Sequence, residues 1–267
     1  MKVIDCFIFY NELDMLEFRL NELNDIVDYF VLVECIKTFA NNDKELYFEN
    51  NKARFSKFLD KIIHIIVKDN IPQPSSMFDI EDYQRYCIDE GIRKLSLNSD
   101  DIIIIADLDE IPDSKTVLNL KNDNAINDIY SLEMDLYYYN ITCIYNKKWS
   151  QPKILNYGTY VKYNNPKIIF REVPNVPNIK NGGWHLSYFG DVDFIKNKIR
   201  TFSHHKEWDN DFILNDDRIK KQIQNSSDLF EQSSVIFSYI DINNNSYLPH
   251  KYEEFKDFLN KYNYKCE

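Results

Sequence analysis

Glycine and proline are scarce in this sequence: 5 of its 267 residues are glycine and 8 are proline. This composition excludes collagen-like repeats and Gly/Pro/Ser-rich linkers between domains, and no internal repeat or low-complexity block divides the chain. Apolar residues make up 44% of the sequence, which is ample for a sizeable core. We therefore predict a single domain over residues 1–267, with a first half of about 1–113 and a second half of about 114–267.

The sequence also lacks long apolar runs and an excess of basic residues. No segment is long and apolar enough to span a bilayer or to form a signal peptide, so we expect a soluble, cytoplasmic protein without a membrane span. Its 43 Asp and Glu outnumber its 32 Lys and Arg. The net charge of −11 excludes nucleic acid as a partner, because phosphate backbones are bound by clustered cations. A small anionic ligand would need a bound cation to approach so acidic a chain.

The five cysteines are scattered and show no CxxC or other metal-ligand spacing. Several of them, such as Cys6 and Cys35, lie inside apolar runs. We therefore predict reduced thiols that are buried as small apolar groups, and we assign them no function.

Strand and helix patterns alternate through the first half of the chain. The predicted strands are residues 2–9, 29–35, 62–67 and 101–106. The predicted helices, which carry apolar residues at helical spacing, are 12–23, 54–61 and 80–95. This alternation predicts the α/β class, with a Rossmann-like, mostly parallel sheet and helices on both of its faces.

The second half is rich in Tyr and Phe. Runs at 130–139, 157–163 and 168–171 predict strands that extend the sheet in a mixed or antiparallel manner. Helical periodicity returns from Asp191, and residues 252–262 are predicted to form a C-terminal helix. Ligands of such sheets bind beyond the carboxyl ends of the parallel strands, so the polar residues there form the candidate site.

The strongest motif is a fully apolar strand that ends in four carboxylates, those of Asp107, Asp109, Glu110 and Asp113. Carboxylates this close repel one another unless a cation neutralises them, and oxygen-only ligands suit Mg²⁺ or Mn²⁺. In the Asp-x-Asp spacing, one carboxylate can bind the metal while the other reaches a ribose or a metal-bound water. The alternative is a solvated turn in which Asp113 caps a helix.

A strand followed by Asp-x-Asp also opens the active site of haloacid-dehalogenase-like phosphatases. In that class Asp107 would be the nucleophile and Asp109 a general acid, with Asp216 and Asp217 as the later acidic motif. The motif usually lies near the N-terminus of such enzymes. Here it follows three strand–helix units, which argues against this class.

A second cluster holds three of the five glycines within ten residues around Trp184. Gly183 permits close approach of the backbone to a ligand, and Trp184 offers an apolar face on which a sugar ring can stack. His185 can act as a base, a metal ligand or a hydrogen-bond donor to phosphate. Downstream, His204 or His205 can complete a metal shell from the opposite side of the cleft. The alternative for the glycine cluster is a hairpin turn with a buried Trp.

Polar residues of the first half are candidates for binding a nucleotide. Asn11 and Glu12 follow the first strand and Glu34 lies in the second, where the base and ribose of a nucleotide would lie. Arg85 precedes the acidic strand and either holds a carboxylate or phosphate or pairs with Glu81 one turn away.

These motifs occur in an order that is shared with one enzyme family. They are Phe9-Tyr10-Asn11-Glu12-Leu13-Asp14-Met15-Leu16-Glu17-Phe18-Arg19-Leu20, Val31-Leu32-Val33-Glu34 with Thr38-Phe39, Tyr83-Gln84-Arg85, Ala106-Asp107-Leu108-Asp109-Glu110-Ile111-Pro112 and Gly183-Trp184-His185-Leu186-Ser187-Tyr188-Phe189-Gly190. The series resembles glycosyltransferase family 17 over roughly residues 1–208. The family's His-x-Glu, which follows a Ser-Phe pair, is matched by either His204 or His205. The resemblance implies a GT-A fold, a nucleotide-sugar donor with UDP-N-acetylglucosamine as the first candidate, a glycan or polysaccharide acceptor, and inversion at the anomeric carbon.

On this resemblance we expect residues 1–113 to bind the donor and residues 114–267 the acceptor. An acceptor hydroxyl attacks the anomeric carbon, a base takes its proton, and a Mn²⁺ or Mg²⁺ ion stabilises the departing diphosphate. Asp109 is the preferred metal ligand, with Asp107 shared between the metal and the ribose. The candidates for the base are His185 first, followed by Glu172, Asp191 and Glu110. A non-enzymatic alternative is a glycan-binding protein on a decayed transferase fold.

Overall fold

A ten-stranded mixed sheet forms the centre of the protein in the computed structural model, which describes residues 1–261. The strands are β1 (Val3–Phe9), β2 (Tyr29–Cys35), β3 (Ile62–Val67), β4 (Ile102–Asp107), β5 (Glu110–Pro112), β6 (Tyr130–Tyr138), β7 (Cys143–Trp149), β8 (Lys153–Asn156), β9 (Asn178–Ser187) and β10 (Phe237–Tyr239). The helices are α1 (Leu13–Leu23), α2 (Tyr47–Asn50), α3 (Asp79–Tyr86), α4 (Ile88–Ile92), α5 (Ser114–Asn122), α6 (Tyr157–Tyr163), α7 (Pro166–Arg171), α8 (Val192–Thr201), α9 (His205–Trp208), α10 (Asp216–Gln224) and α11 (Tyr252–Asn260). Two 3₁₀ segments lie at Lys52–Phe58 and Ile242–Asn244.

The sheet combines a parallel part and a mixed part. Its strand order is β10-β7-β6-β8-β4-β1-β2-β3, and β9 pairs with both β5 and β6. Strands β3, β2, β1 and β4 lie side by side in this order and run parallel to one another. Strand β8 is antiparallel to both β4 and β6, and only the β6–β9 pair is parallel in the remaining part of the described sheet. This architecture confirms the predicted α/β class with a mixed-sheet extension.

Both faces of the parallel strands are buried, which explains why their sequences are apolar at nearly every position. Val3 and Phe7 of β1 point into one core, which includes residues of α1 and α11. Ile4, Cys6 and Ile8 point into the opposite core, together with residues of α4, α6 and α7. Successive residues of a strand point to opposite faces, so an unbroken apolar run supplies both cores.

The predicted strands at 157–163 and 168–171 are wrong, because these residues form α6 and α7. Asn156 accepts a hydrogen bond from the Thr159 backbone N–H at 2.7 Å and so caps α6. Asn165 caps α7 in the same way, and Pro166 occupies its first turn. These capping signals outweigh the β propensity of the aromatic residues.

Three predicted helices differ from the structure in detail. The helix predicted at 80–95 is divided into α3 and α4, which meet at Cys87. The helix predicted at 54–61 is a 3₁₀ segment at Lys52–Phe58. The C-terminal helix ends at Asn260, and Tyr262 of the prediction lies outside the described residues.

Two further sequence predictions concern cysteines and membrane spans. Cys6, Cys35, Cys87 and Cys143 are buried free thiols, as predicted, and Cys266 lies outside the described residues. None of the helices within residues 1–261 combines the length and the apolar character needed to cross a membrane.

Candidate active site

A cavity of about 380 Å³ opens at the carboxyl ends of β1 and β4. Residues of α3, β9 and α8 complete its walls. Five of the residues predicted for the site line this cavity: Glu12, Asp107, Asp109, His185 and His204. The fold thus brings together side chains that are up to 192 positions apart in the sequence, from 12 to 204.

Arg19 of α1 fixes the backbone of the Asp107–Asp109 turn. Its Nη1 donates hydrogen bonds to the carbonyl oxygens of Asp107 at 2.9 Å, Leu108 at 3.1 Å and Glu110 at 2.7 Å. On its other side the guanidinium donates to both carboxylate oxygens of Asp5, at 2.6 and 2.8 Å. Arg19 and Asp5 are both fully buried, so a bidentate ion pair connects β1 and α1 with the acidic turn.

Arg85 of α3 positions the side chain of Asp107. Its Nη1 lies 2.8 Å from Asp107 Oδ1, which is close enough for an ion pair although the groups are not aligned for a hydrogen bond. Nη2 donates a hydrogen bond to Glu81 at 2.9 Å, and the guanidinium lies over the Phe170 ring at 3.8 Å. Burial would lower the pKa of Arg85, but Asp107 and Glu81 outweigh it and raise that pKa. Ser203 donates a hydrogen bond to Glu81, which connects the α3 network to the segment after α8.

Asp109 lies between two basic side chains. Lys198 Nζ of α8 is 2.8 Å from Asp109 Oδ2, and His185 Nε2 is 3.5 Å from Oδ1. Burial would raise the pKa of Asp109, but the charges of Lys198 and His185 hold it well below the usual range. Burial in turn would lower the pKa of His185, and the Asp109 carboxylate outweighs this effect and raises it. Asp109 is therefore ionised at neutral pH.

The glycine pair of β9 places His185 beside the acidic turn. Gly183 has φ +138°, and a Cβ at this position would lie 2.0 Å from the Ile111 carbonyl oxygen. Only glycine allows this close approach of β9 to β5, in which Glu110 pairs with His185. The Leu186 N–H then donates to the Asp109 carbonyl at 2.8 Å. The glycines therefore serve strand packing next to the cavity, and Gly183 itself does not line it.

Glu110 is fully buried behind the cavity. Its Oε1 accepts a hydrogen bond from Trp149 Nε1, and its Oε2 accepts one from the Asp107 backbone N–H, both at 2.6 Å. Burial and the nearby Asp107 carboxylate raise the pKa of Glu110 to about 7. The Trp149 ring also lies 4.8 Å from the ring of His185 and lines the cavity.

Nine of the predicted residues do not line this cavity, and Arg85, Gly183 and Glu110, described above, are three of them. Glu34 is fully buried and accepts hydrogen bonds from the backbone N–H groups of Phe48 and Glu49, at the start of α2. Asn11 and Asp191 border a separate depression, where Asp191 caps α8. Glu172 ends α7 and forms an ion pair with Lys167.

Two more of the predicted residues have structural contacts instead. Trp184 is 1% exposed, stacks on Tyr247 at 4.7 Å and donates its indole N–H to the Tyr247 carbonyl. It therefore presents no free face to a sugar. His205 Nδ1 lies 2.9 Å from the Phe202 carbonyl oxygen, and the His205 side chain does not line the cavity. His204 does line it, and its ring packs 5.2 Å from that of Phe78.

The carboxylates fit a divalent cation by the type of their donor atoms. Asp107, Asp109 and Glu12 supply hard oxygens, and the buried Oδ1 of Asp107 accepts no hydrogen bond. However, both oxygens of Asp109 already face Lys198 and His185. No three His, Cys, Asp or Glu side chains within residues 1–261 are gathered as metal ligands. A cation can therefore bind an Asp109 oxygen only if Lys198 or His185 gives up its contact there.

Three further residues shape the site although the sequence pattern did not predict them there: Arg19, Trp149 and Lys198. Arg19 stands inside a motif that was recognised, but its contacts with the acidic turn lie 88 to 91 positions away. Trp149 ends an aromatic strand, a position that gives no signal of a contact with His185. Lys198 stands in a segment with other cations near His204, a pattern that does not distinguish it from a surface lysine. Helical spacing offered one signal, because Lys198 lies between the buried residues Ile195 and Ile199 of α8.

The phosphatase alternative gains no support from the position of its second motif. Asp216 and Asp217 begin the surface helix α10, and Asp216 forms an ion pair with Lys196 at 2.6 Å. Neither side chain lines the cavity that contains Asp107 and Asp109.

Comparisons with known proteins agree with the resemblance. The chain is 30% identical over 161 residues, 58% of its length, to the β-1,4-mannosyl-glycoprotein 4-β-N-acetylglucosaminyltransferases of Rattus norvegicus and Homo sapiens. The matched segment covers 28% of the rat protein and 29% of the human one. The crystal structure of S. aureus TarS 1–349 aligns with a TM-score of 0.41 and 11% identity, over 84% of this chain and 78% of that one. The family model for glycosyltransferase family 17 matches residues 1–256, and the chain therefore belongs to that family.

Proposed function

We propose that the protein is an inverting glycosyltransferase that moves a sugar from a nucleotide donor to a glycan or polysaccharide acceptor. UDP-N-acetylglucosamine is the first candidate donor, because the rat and human relatives are named as N-acetylglucosaminyltransferases. The observation that carries the proposal is the ionised Asp109 beside Asp107 in a cavity at the carboxyl ends of β1 and β4. Ligands of parallel α/β sheets bind at this edge.

The two sides of the cavity suit the two substrates. Tyr10, Thr38, Phe39 and Gln84 lie on the side of β1 and β2 and offer aromatic faces and hydrogen-bonding groups for a base and a ribose. Trp149 lies on the side of the mixed sheet, next to His185. The Trp149 ring offers an apolar face on which a sugar can stack, whereas Trp184 is buried and offers none.

In this proposal Asp107 and Asp109 hold the diphosphate end of the donor through Mg²⁺ or Mn²⁺. When bound, such an ion acts as a Lewis acid that offsets the negative charge of the leaving diphosphate. The protein's own residues orient the two substrates: Arg19 fixes the backbone of the turn, and Arg85 positions the Asp107 carboxylate. Correct orientation of bound reactants supplies up to about 7 kcal/mol of barrier reduction.

His185 is the favoured base, since among His185, Glu172, Asp191 and Glu110 it alone lines the cavity. To accept the proton of the acceptor hydroxyl, the imidazole must first be neutral. Its pKa is raised by Asp109, so the reactive form becomes more abundant as the pH rises. No covalent bond to the enzyme is needed in an inverting transfer.

The proposal is tested with Asp109→Asn and, as a matched control, Asp216→Asn on the surface of α10. UDP release from UDP-N-acetylglucosamine is measured with Mn²⁺, with and without glycan acceptors, and thermal unfolding is measured in parallel. We expect Asp109→Asn to lower turnover by at least about 10²-fold, since it removes an electrostatic contact to the transition state. Asp216→Asn should retain normal turnover.

Three results would contradict the proposal. Normal turnover of Asp109→Asn would exclude the carboxylate from catalysis. Glycan binding by a wild-type protein that never hydrolyses or transfers from any nucleotide sugar would favour a glycan-binding protein. Phosphate release from an aryl phosphate without any sugar acceptor would favour the phosphatase.

A further inference from the structure

Lys198 is one of two basic side chains that contact Asp109, and unlike His185 it has no part yet in the proposed reaction. Its Nζ lies 2.8 Å from Asp109 Oδ2 and 3.3 Å from Glu12 Oε1. The Tyr188 ring lies 5.5 Å away on another side of the ammonium. The side chain is 21% exposed and lines the cavity. A cation thus already occupies the place next to Asp109 where a metal ion is expected.

The surroundings of Lys198 keep it charged. A mostly buried ammonium is costly unless carboxylates compensate for its lost hydration. Burial would lower the pKa of Lys198, but Asp109 and Glu12 outweigh it and raise that pKa above the ordinary lysine value. The ammonium therefore carries its full charge at neutral pH.

The backbone of Lys198 is fixed whereas its side chain can move. Ile195 and Ile199 anchor α8 in the core at 0% exposure, and Asp191 caps the start of the helix. The ammonium stands on a flexible four-carbon chain. Movement of Nζ by a few ångströms within the cavity requires no change of fold.

Other cations that line the cavity have partners away from Asp109. Arg171 forms ion pairs with Glu81 and Asp82, and Lys37 forms one with Asp43. Lys44 lies 3.9 Å from Glu34, and burial lowers its pKa. A diphosphate held at the Asp107–Asp109 turn would therefore meet Lys198 first.

We propose that Lys198 is a diphosphate-binding residue whose ammonium leaves Asp109 when a nucleoside-diphosphate donor enters, and so frees Asp109 for a divalent cation. This inference rests on the proposed glycosyltransferase function. Without such an exchange the Asp109 carboxylate stays paired with Lys198 and is not free for a cation that could bridge it to the phosphates of the donor. With it, the ammonium donates hydrogen bonds to phosphate oxygens, and it remains there while negative charge grows on the leaving diphosphate.

The inference is tested by isothermal titration calorimetry of Lys198→Gln, Lys198→Arg and the wild-type chain. Lys196→Gln is the matched control, because Lys196 lies on the same helix and pairs with Asp216 at the surface. One titration uses UDP in EDTA, and the other uses Mn²⁺ without nucleotide; the wild-type chain is also titrated with UDP in the presence of Mn²⁺. Circular dichroism melting curves establish that each variant is folded.

We expect Lys198→Gln to bind UDP in EDTA at least about 10-fold more weakly, which is the loss of one charge-assisted hydrogen bond. The same variant should bind Mn²⁺ alone about 10-fold more tightly, because Asp109 no longer has an ammonium partner. Lys198→Arg keeps the charge and should resemble the wild type in both titrations, as should Lys196→Gln.

Other outcomes overturn the exchange. The exchange is excluded if Lys198→Gln and the wild type bind UDP equally well in EDTA. It is also excluded if the two bind Mn²⁺ with the same affinity. If Lys198→Gln does not fold, loss of UDP binding by the folded Lys198→Arg would overturn it. A wild-type chain that binds UDP neither in EDTA nor with Mn²⁺ would instead contradict the proposed function itself.

Discussion

Replacement of Arg19 by Met should destabilise the whole protein as well as loosen the acidic turn. Arg19→Met keeps most of the apolar stem but removes the guanidinium. The carboxylate of Asp5, which is 0% exposed, then has no cationic partner. The carbonyl oxygens of Asp107, Leu108 and Glu110 also lose the hydrogen bonds donated by Arg19.

The size of the effect follows from these contacts. Removal of one partner from a buried ion pair costs about 3–5 kcal/mol. Each carbonyl that loses its hydrogen bond adds up to about 1 kcal/mol, although such costs are not additive. We therefore expect Arg19→Met to lower the free energy of unfolding by about 4–6 kcal/mol, out of a total of about 5–15 kcal/mol for a typical protein. Asp5→Asn combined with Arg19→Met removes the unpaired charge and should recover about 2 kcal/mol.

Urea denaturation followed by circular dichroism measures these differences. Arg54→Met is the control: its guanidinium pairs with Asp14 and Glu17 at the surface, so its loss should cost under about 1 kcal/mol. The reasoning is refuted if Arg19→Met unfolds within about 1 kcal/mol of the wild type at an unchanged m-value. A double variant that is no more stable than Arg19→Met would refute the assignment of the loss to the unpaired Asp5.

Three further predictions concern strand packing, a buried lysine and the proposed base. Gly183→Ala would place a Cβ 2.0 Å from the Ile111 carbonyl oxygen at φ +138°, and should lower the free energy of unfolding by about 3 kcal/mol in urea titrations. An unchanged unfolding midpoint would contradict this. Burial lowers the pKa of Lys153 from 10.5 to about 8, so the folded state binds this proton more weakly than the unfolded chain. Lys153→Met should therefore stabilise the protein at pH 7 by about 2 kcal/mol, and the gain should shrink as the pH rises from 8 to 10.5. A gain that does not change with pH would exclude the buried ammonium as its cause. Because Asp109 raises the pKa of His185 above 6.5, kcat/KM should increase with pH through a midpoint above that value. A kcat/KM that falls over this range would exclude His185 as the base.

The sequence predicted the parallel part of the sheet because local signals suffice there. Strands β1 to β4 are apolar at nearly every position, and their burial on both faces favours that pattern. The sequence also predicted the acidic turn, because Asp107 and Asp109 stand at the carboxyl end of such a strand. In the second half two aromatic runs were interpreted as strands, although Asn156 and Asn165 are capping residues that precede helices. The aromatic side chains favour strands there, but the capping residues favour helices, and the helices form.

The roles of individual site residues were harder to predict, since they depend on contacts between distant segments. Glu34 lies near the carboxyl end of β2, where a nucleotide-binding residue would stand, yet it accepts hydrogen bonds from the backbone of α2. Trp184 stands beside two glycines, yet these bring β9 close to β6 and β5, and the indole is buried against Tyr247. In both cases the local pattern is compatible with binding and with packing. Only the tertiary contacts distinguish the two.

The crowded carboxylates of the sequence require neutralising cations, and the structure shows that the protein supplies its own. Arg19 pairs with Asp5 beneath the turn, Arg85 pairs with Asp107, and Lys198 pairs with Asp109. Acidic crowding is therefore not by itself evidence for a metal ion. The three cations differ in freedom, because Arg19 and Arg85 have no exposed side-chain surface whereas Lys198 is 21% exposed and flexible. Of these pairs, the one at Asp109 can open without loss of the fold, and a metal ion or a diphosphate would have to enter there.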